Sequence, residues 1–304
     1  MNYIYYIYLG IAAICIMMQF CLSKIFQVKY ECGSISLFFR SILTGLICVL
    51  LFLVLTGFKM SYSNESLIFS IIIASISIIS NILGVIVVRY GEIAIYTMFM
   101  MLGGMVLPYL HGIIFLKETP SIWCIIGIIV LVLSLILSSA EKLKSKSSNR
   151  VLFTILCILV FLLNGFMSIF SKLSRITDNA VPIYDFLVLE NGVVVLFSLI
   201  IFIVLVLLGK KRHEEIKLVK DFNKKNLLFM VILIISTALI STTGYLFQLI
   251  GAEHLPSTVL YPIVSGGSIC LTSIAGRILF KEKISILKWI SIGMTLAGTI
   301  LFLF

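Results

Sequence analysis

Charge is scarce in this sequence: 12% of its 304 residues are Asp, Glu, Lys or Arg, and only 13 are acidic. Soluble domains carry roughly 25%. With 61% of residues hydrophobic and a mean hydropathy of +1.20, the soluble class is excluded. Histidine is also scarce, and His111 and His254 have no second His, Cys or carboxylate at metal-ligand spacing, so no metal or other cofactor is expected. No HExxH, paired catalytic carboxylates or Ser-His-Asp set occurs, which leaves a membrane-embedded enzyme as a remote alternative. The absence of a Walker A motif means that this chain does not itself use ATP.

Cysteine is present seven times but never as CxxC, and six of the seven lie within apolar runs. That pattern excludes a disulfide frame or a zinc site and makes the thiols small core residues. The first apolar run has no basic residue before it and no small-x-small cleavage site after it, so it is expected to stay as a helix and not to be removed as a signal peptide.

What the chain does have is apolar runs long enough to cross about 30 Å of hydrocarbon as helices, which satisfy their own backbone groups there. Ten are predicted, near 3–23, 34–57, 67–88, 93–116, 121–140, 151–171, 183–208, 227–250, 257–279 and 285–304. The fold class expected is therefore an all-α integral membrane protein with ten transmembrane helices.

The net charge of +10 raises the question of nucleic acid, but the basic residues are placed as topology signals. Assigning alternate loops to opposite sides collects Lys24, Lys29, Arg89, the 142–150 and 210–225 clusters, Lys281, Lys283 and Lys288 on one side. The other side holds only Lys59, Lys117, Lys172 and Arg175. The basic side is cytoplasmic by the positive-inside rule, so both termini are expected outside and the bilayer, not nucleic acid, is the partner. The polar stretch 209–226 reads as a solvated linker or as a short amphipathic helix on the membrane surface.

The second five runs repeat the plan of the first five. Gly84 and Gly91 precede Lys117-Glu118, Trp123 and Gly127, as Gly244 and Gly251 precede Lys281-Glu282, Trp289 and Gly293. Ser23-Lys24 likewise matches Ser171-Lys172, and Phe38 matches Phe186. An odd number of spans per unit inverts the second unit relative to the first, which is the inverted-repeat plan of many secondary transporters. The expected units are 1–140 and 151–304, joined by a cytoplasmic linker at 141–150. Ten helices suffice for a complete pathway, so a functional monomer is expected.

An ionisable side chain deep in a bilayer costs roughly 2.5 to 3.5 kcal/mol and calls for a reason. Glu190, followed by Asn191, lies within the seventh run, and Arg40 lies in the second, its repeat counterpart. Glu190 is the candidate for binding a cationic group or a coupling proton; Arg40 is the candidate for a carboxylate or phosphate. The structural alternative is that the two neutralise each other. Gln19, Asn81, Gln248, Tyr96, Tyr245 and Tyr261 should turn inward, to line a cavity or to bridge helices. Pro108 and Pro262 each remove a helix hydrogen bond in the outer half of the membrane and are candidate kinks at an outer gate.

Together these features resemble the drug/metabolite transporter superfamily, and in particular its ten-helix EamA-type members. The resemblance rests on Phe115-Leu116-Lys117-Glu118 with Trp123 and Gly127, on Leu279-Phe280-Lys281-Glu282 with Trp289, Gly293 and Gly298, and on Arg40 in the second helix. The chain departs from the family pattern in lacking a Gly before each Glu of the two turns and a Trp-Gly pair in the first span. The resemblance implies helices around a central cavity, with helices four and nine bordering it, which ranks Tyr96 and Tyr261 on those helices first among the tyrosines, and with the two repeats rocking about it. The function it implies is secondary transport of a small polar metabolite (an amino acid, nucleotide-related compound or drug-like cation) across the cytoplasmic membrane, as an exporter, with proton coupling available to Glu190. A flippase for a lipid-linked headgroup is the alternative.

Overall fold

The computed structural model describes residues 3–30, 33–90, 93–139, 150–211, 224–280 and 285–304. Among these residues the chain forms ten helices: α1 (Tyr3–Tyr30), α2 (Ser34–Leu55), α3 (Asn64–Tyr90), α4 (Ile93–Ile114), α5 (Ile122–Ser139), α6 (Arg150–Ile176), α7 (Ile183–Lys211), α8 (Lys224–His254), α9 (Ser257–Phe280) and α10 (Ile286–Leu301). The linker at 141–149, the core of the second basic stretch at 212–223 and the second Lys-Glu turn at 281–284 lie outside the described residues.

Several helices outrun their apolar cores. α1 continues seven residues past the expected end because Phe26 and Tyr30 still bury, against Met230, Leu233 and Ile234 of α8. Extending a formed helix costs little compared with starting one. Eight of the ten helices are long and apolar enough to cross a membrane; Ile122–Ser138 and Ile286–Leu301 are apolar but shorter. Their starts are set by serine caps. Ser121 Oγ accepts from Cys124 N at 3.2 Å and Ser285 Oγ from Lys288 N at 3.3 Å, so each predicted run opens on its cap and the helix starts at the next residue.

The helices alternate in direction, so the starts of the odd-numbered helices and the ends of the even-numbered ones share one end of the bundle. We refer to it as the turn end, because the turns 56–63, 115–121, 177–182 and 255–256 close it. The packing is nearly unchanged when each helix is exchanged with the one five positions later. α1 packs on α8 and α9 as α6 packs on α3 and α4, and α2 on α7, α4 on α9 and α5 on α10 are each their own counterpart. α5 and α10 approach closely where Gly127 meets the Gly298 carbonyl, and Ser134 Oγ donates to Ser291 O at 3.0 Å.

The interior is apolar. Its largest cluster joins α1, α4, α5 and α9 through Leu9, Met105, Leu131, Leu260 and Val264. The outward surface is equally apolar: Leu196, Leu199, Ile200, Ile203, Val204 and Leu207 of α7 are all exposed. A surface of that kind needs lipid as its solvent.

Candidate functional site

Polar groups concentrate along one face of α6. Asn164, Ser168, Ser171, Lys172 and Arg175 recur at intervals of four, three, one and three residues, which places them in one stripe of a 3.6-residue helix. Each reaches a different neighbour. Asn164 Nδ2 donates to Met100 O of α4 at 2.6 Å. Ser168 O accepts from the Tyr261 hydroxyl of α9. Ser171 Oγ lies 3.1 Å from the Tyr245 hydroxyl of α8.

Tyr245 in turn donates to Glu190 Oε2 at 3.0 Å. A tyrosine has one hydroxyl proton, and Glu190 takes it, so Ser171 must be the donor to Tyr245. The result is a chain Ser171 to Tyr245 to Glu190 linking α6, α8 and α7. Glu190 is only 7% exposed. It lies two turns from the turn end of α7, beside Phe186 and Leu187 of the apolar cluster that joins α2, α3 and α7.

The guanidinium within electrostatic reach of this carboxylate belongs to Arg175, which is 6% exposed and also within reach of Glu253. Its Nη1 donates to Val181 O at 3.0 Å, and its plane lies 4.4 Å from the centre of the Phe186 ring. Nε and Nη2 are buried and have no hydrogen-bond partner among the described residues.

Just beyond, the turn between α8 and α9 is held by two charges of opposite sign. Lys172 Nζ donates to Ala252 O at 2.5 Å and to Leu255 O at 2.7 Å. Glu118 accepts from Ser257 N at 2.7 Å and from Thr258 N at 2.8 Å. A cation thus caps the carbonyl end of α8 and an anion caps the N–H end of α9, as the partial charges at helix ends favour. Glu118 reaches this position because Lys117 adopts a left-handed φ of 55°, and Glu118 N bonds Gly112 O at 3.0 Å. The missing glycine before Glu118 is therefore a missing residue type and not a missing conformation. Further along the same end, Glu65 accepts from Thr177 and Asn179, Asp185 accepts from Ser61 N, and Ser66 accepts from Val181 N. The first and second halves of the chain are laced together there.

Of the residues singled out from sequence, the structure gathers Glu190, Tyr245 and Tyr261 around α6. Asn191 turns back on its own helix, donating to Leu187 O at 2.8 Å. Arg40 does not meet Glu190. Its guanidinium lies 5.2 Å from the centre of the Phe26 ring, eight residues along α2 from Cys48, which neighbours Glu190. At 1.5 Å per residue that is about 12 Å. Tyr96 packs over Gly84 in a separate cluster with Val87 and Phe153. Asn81 is exposed on α3, and Gln19 and Gln248 are half-buried on α1 and α8. Pro108 and Pro262 are buried in α4 and α9, helices that pack on each other, six and five residues from the turn end. Lys172 and Arg175 entered the sequence reading as loop charges, and Lys172 also through the repeat match at Ser171-Lys172. The signal that would have found them is the spacing 164, 168, 171, 172, 175.

The family model for the EamA-like transporter family matches residues 151–304. No curated protein matches the chain. A solved structure described as "Crystal structure of protein" superposes with a TM-score of 0.73 over 96% of this chain and 94% of that one, at 11% identity. At that identity the likeness speaks for the fold alone.

Proposed function

Because the chain belongs to the EamA-like transporter family, a branch of the drug/metabolite transporter superfamily, we propose that it is a secondary transporter carrying a small polar metabolite across the cytoplasmic membrane by alternating access. The observation that supports this most is the buried chain Ser171–Tyr245–Glu190, with Arg175 within electrostatic reach of it, where α6, α7 and α8 meet. A carboxylate held by one hydroxyl deep in an apolar bundle is suited to exchange its partner, a cationic group or a proton, during a cycle. The exchange of helix contacts under a shift of five supports reading residues 1–140 and 151–304 as inverted units.

The basic-residue bias supports placing the turn end outside, with both termini there, and export is the direction we assign. In this reading the site lies toward the outer side and the α8–α9 turn closes it. Pro108 and Pro262 stand at the level where the closing helices would bend.

The test is thermal stabilisation of the protein purified in detergent by amino acids, nucleotides, organic cations and lipid-linked sugars, compared with Glu190→Gln. A ligand present at about 100 times its Kd adds roughly 2.7 kcal/mol to the folded state. A water-soluble compound that stabilises the wild type and not Glu190→Gln supports the transporter reading. Stabilisation by lipid-linked compounds alone, unaffected by Glu190→Gln, overturns it in favour of a flippase.

A further inference from the structure

Arg175 is the buried charged group that the transport reading leaves without a task. One edge of its guanidinium is committed: Nη1 donates to Val181 O at 3.0 Å, and Cζ lies over the Phe186 ring, 4.4 Å from its centre. These two contacts fix where the group lies and how it is turned. The other edge consists of Nε and Nη2, the two parallel N–H groups that match the two oxygens of a carboxylate. Both atoms are buried, the residue is 6% exposed, and neither has a hydrogen-bond partner among the described residues. An oriented cation with a bare bidentate edge inside an apolar bundle is costly unless an anion completes it during the working cycle.

The surroundings narrow the anion. Glu190 and Glu253 both lie within electrostatic reach of Arg175, so a phosphate dianion would add two negative charges beside two carboxylates. Lys172, the remaining cation nearby, is occupied by the carbonyls of Ala252 and Leu255. A compound that carries one carboxylate and one cationic group leaves the local charge unchanged: its carboxylate meets Arg175 and its cationic group meets Glu190.

We propose that Arg175 is a specificity-determining residue that clamps the carboxylate of a zwitterionic cargo through Nε and Nη2. This rests on the transporter reading above and adds the chemical class of what is carried. Arg40, the guanidinium that sequence alone favours, lies over the Phe26 ring away from Glu190 and does not take this part.

The experiment compares matched compounds on the purified wild-type protein by thermal stabilisation. The set is the twenty standard amino acids, their methyl esters, the corresponding decarboxylated amines, and the N-acetyl amino acids. The wild-type comparison needs no variant to fold. Binding is expected only from members with both a free carboxylate and a free amine. For each hit, Arg175→Lys keeps the charge and loses the fork, and should raise the half-saturating concentration at least tenfold. Arg175→Lys is included only if it elutes as a monodisperse species on size exclusion. An ester or amine that binds the wild type as well as its parent amino acid overturns the carboxylate clamp. So does a hit bound equally by wild type and Arg175→Lys, and so does a set in which nothing binds. If one of these non-acidic compounds binds and is lost in Glu190→Gln, the transporter reading stands and the clamp alone falls.

Discussion

Lys172→Met removes the charge that holds the end of α8 while keeping a side chain of similar length. In the wild type the ammonium makes two charge-assisted hydrogen bonds, to Ala252 O and Leu255 O. Each is worth about 1.5 to 3 kcal/mol before the ion's own desolvation is counted. Because Lys172 is 6% exposed, several kcal/mol of that gross value is offset by withdrawing the ammonium from water. The net loss expected is about 1 to 3 kcal/mol, most of it from two carbonyls left without a donor at a helix end. These bonds exist only while the α8–α9 turn sits against α6, so the loss falls on the closed turn end. An equilibrium shift of about 1 to 3 kcal/mol is a factor of roughly 5 to 150 in the open population. The assay is labelling of Thr258→Cys, in a background with the native cysteines replaced, by a membrane-impermeant maleimide on intact cells. Labelling should accelerate by that factor in Lys172→Met, and Glu118→Gln should accelerate it in the same direction because the N–H groups of Ser257 and Thr258 lose their anion. Rates unchanged in both variants, with thermal stability also unchanged, would refute the reasoning that these two charges hold the end shut.

Four further outcomes are expected. Lys117 sits at φ 55°, and Lys117→Gly should raise thermal stability by about 1 kcal/mol through relief of the left-handed backbone; a fall would show that the Lys side chain contributes more than the strain removes. A Cβ on Gly103 would run into the Phe161 backbone, whereas Gly192 faces open space. Gly103→Ala should therefore destabilise by about 1 to 3 kcal/mol or more and Gly192→Ala should be neutral or slightly stabilising, measured as paired thermal unfolding curves. Tyr245→Phe removes the donor to Glu190 and the acceptor for Ser171, and should weaken binding of any cargo recognised through Glu190 by about tenfold, on the order of 1.5 kcal/mol; unchanged affinity would detach Tyr245 from the site. Pro108→Ala and Pro262→Ala restore a helix hydrogen bond each, and should slow transport in proteoliposomes; unchanged rates would count against bending at these positions.

Much of the fold was legible because a membrane imposes a simple rule on sequence. Each span had to be long, apolar and helical, and the ten runs appear as ten helices among the described residues. What shifted were the ends. Phe26 and Tyr30 carry α1 past its apolar run because they find α8 to bury against, whereas α5 and α10 start directly after Ser121 and Ser285, which open their predicted runs as caps. Neither effect is visible without knowing the neighbour or the cap geometry. Glu118 was legible as part of a repeated turn, but its part in capping α9 depends on a bond across about 140 residues of chain.

The candidate site divides the same way. Glu190 stands out in sequence because an acid in an apolar run is costly wherever its helix turns. Its partners do not stand out, because they come from other helices and from a polar stripe that looks like ordinary span-ending charge. Sequence by itself determined the membrane, the ten helices and the one carboxylate that needs explaining, since each follows from the cost of placing a given side chain in hydrocarbon. Only the tertiary structure decided that Glu190 accepts from Tyr245 and lies within electrostatic reach of Arg175, with Arg40 placed over Phe26 instead. That choice depends on how each helix is rotated about its axis, and uniformly apolar helix surfaces leave the rotation to be set by packing.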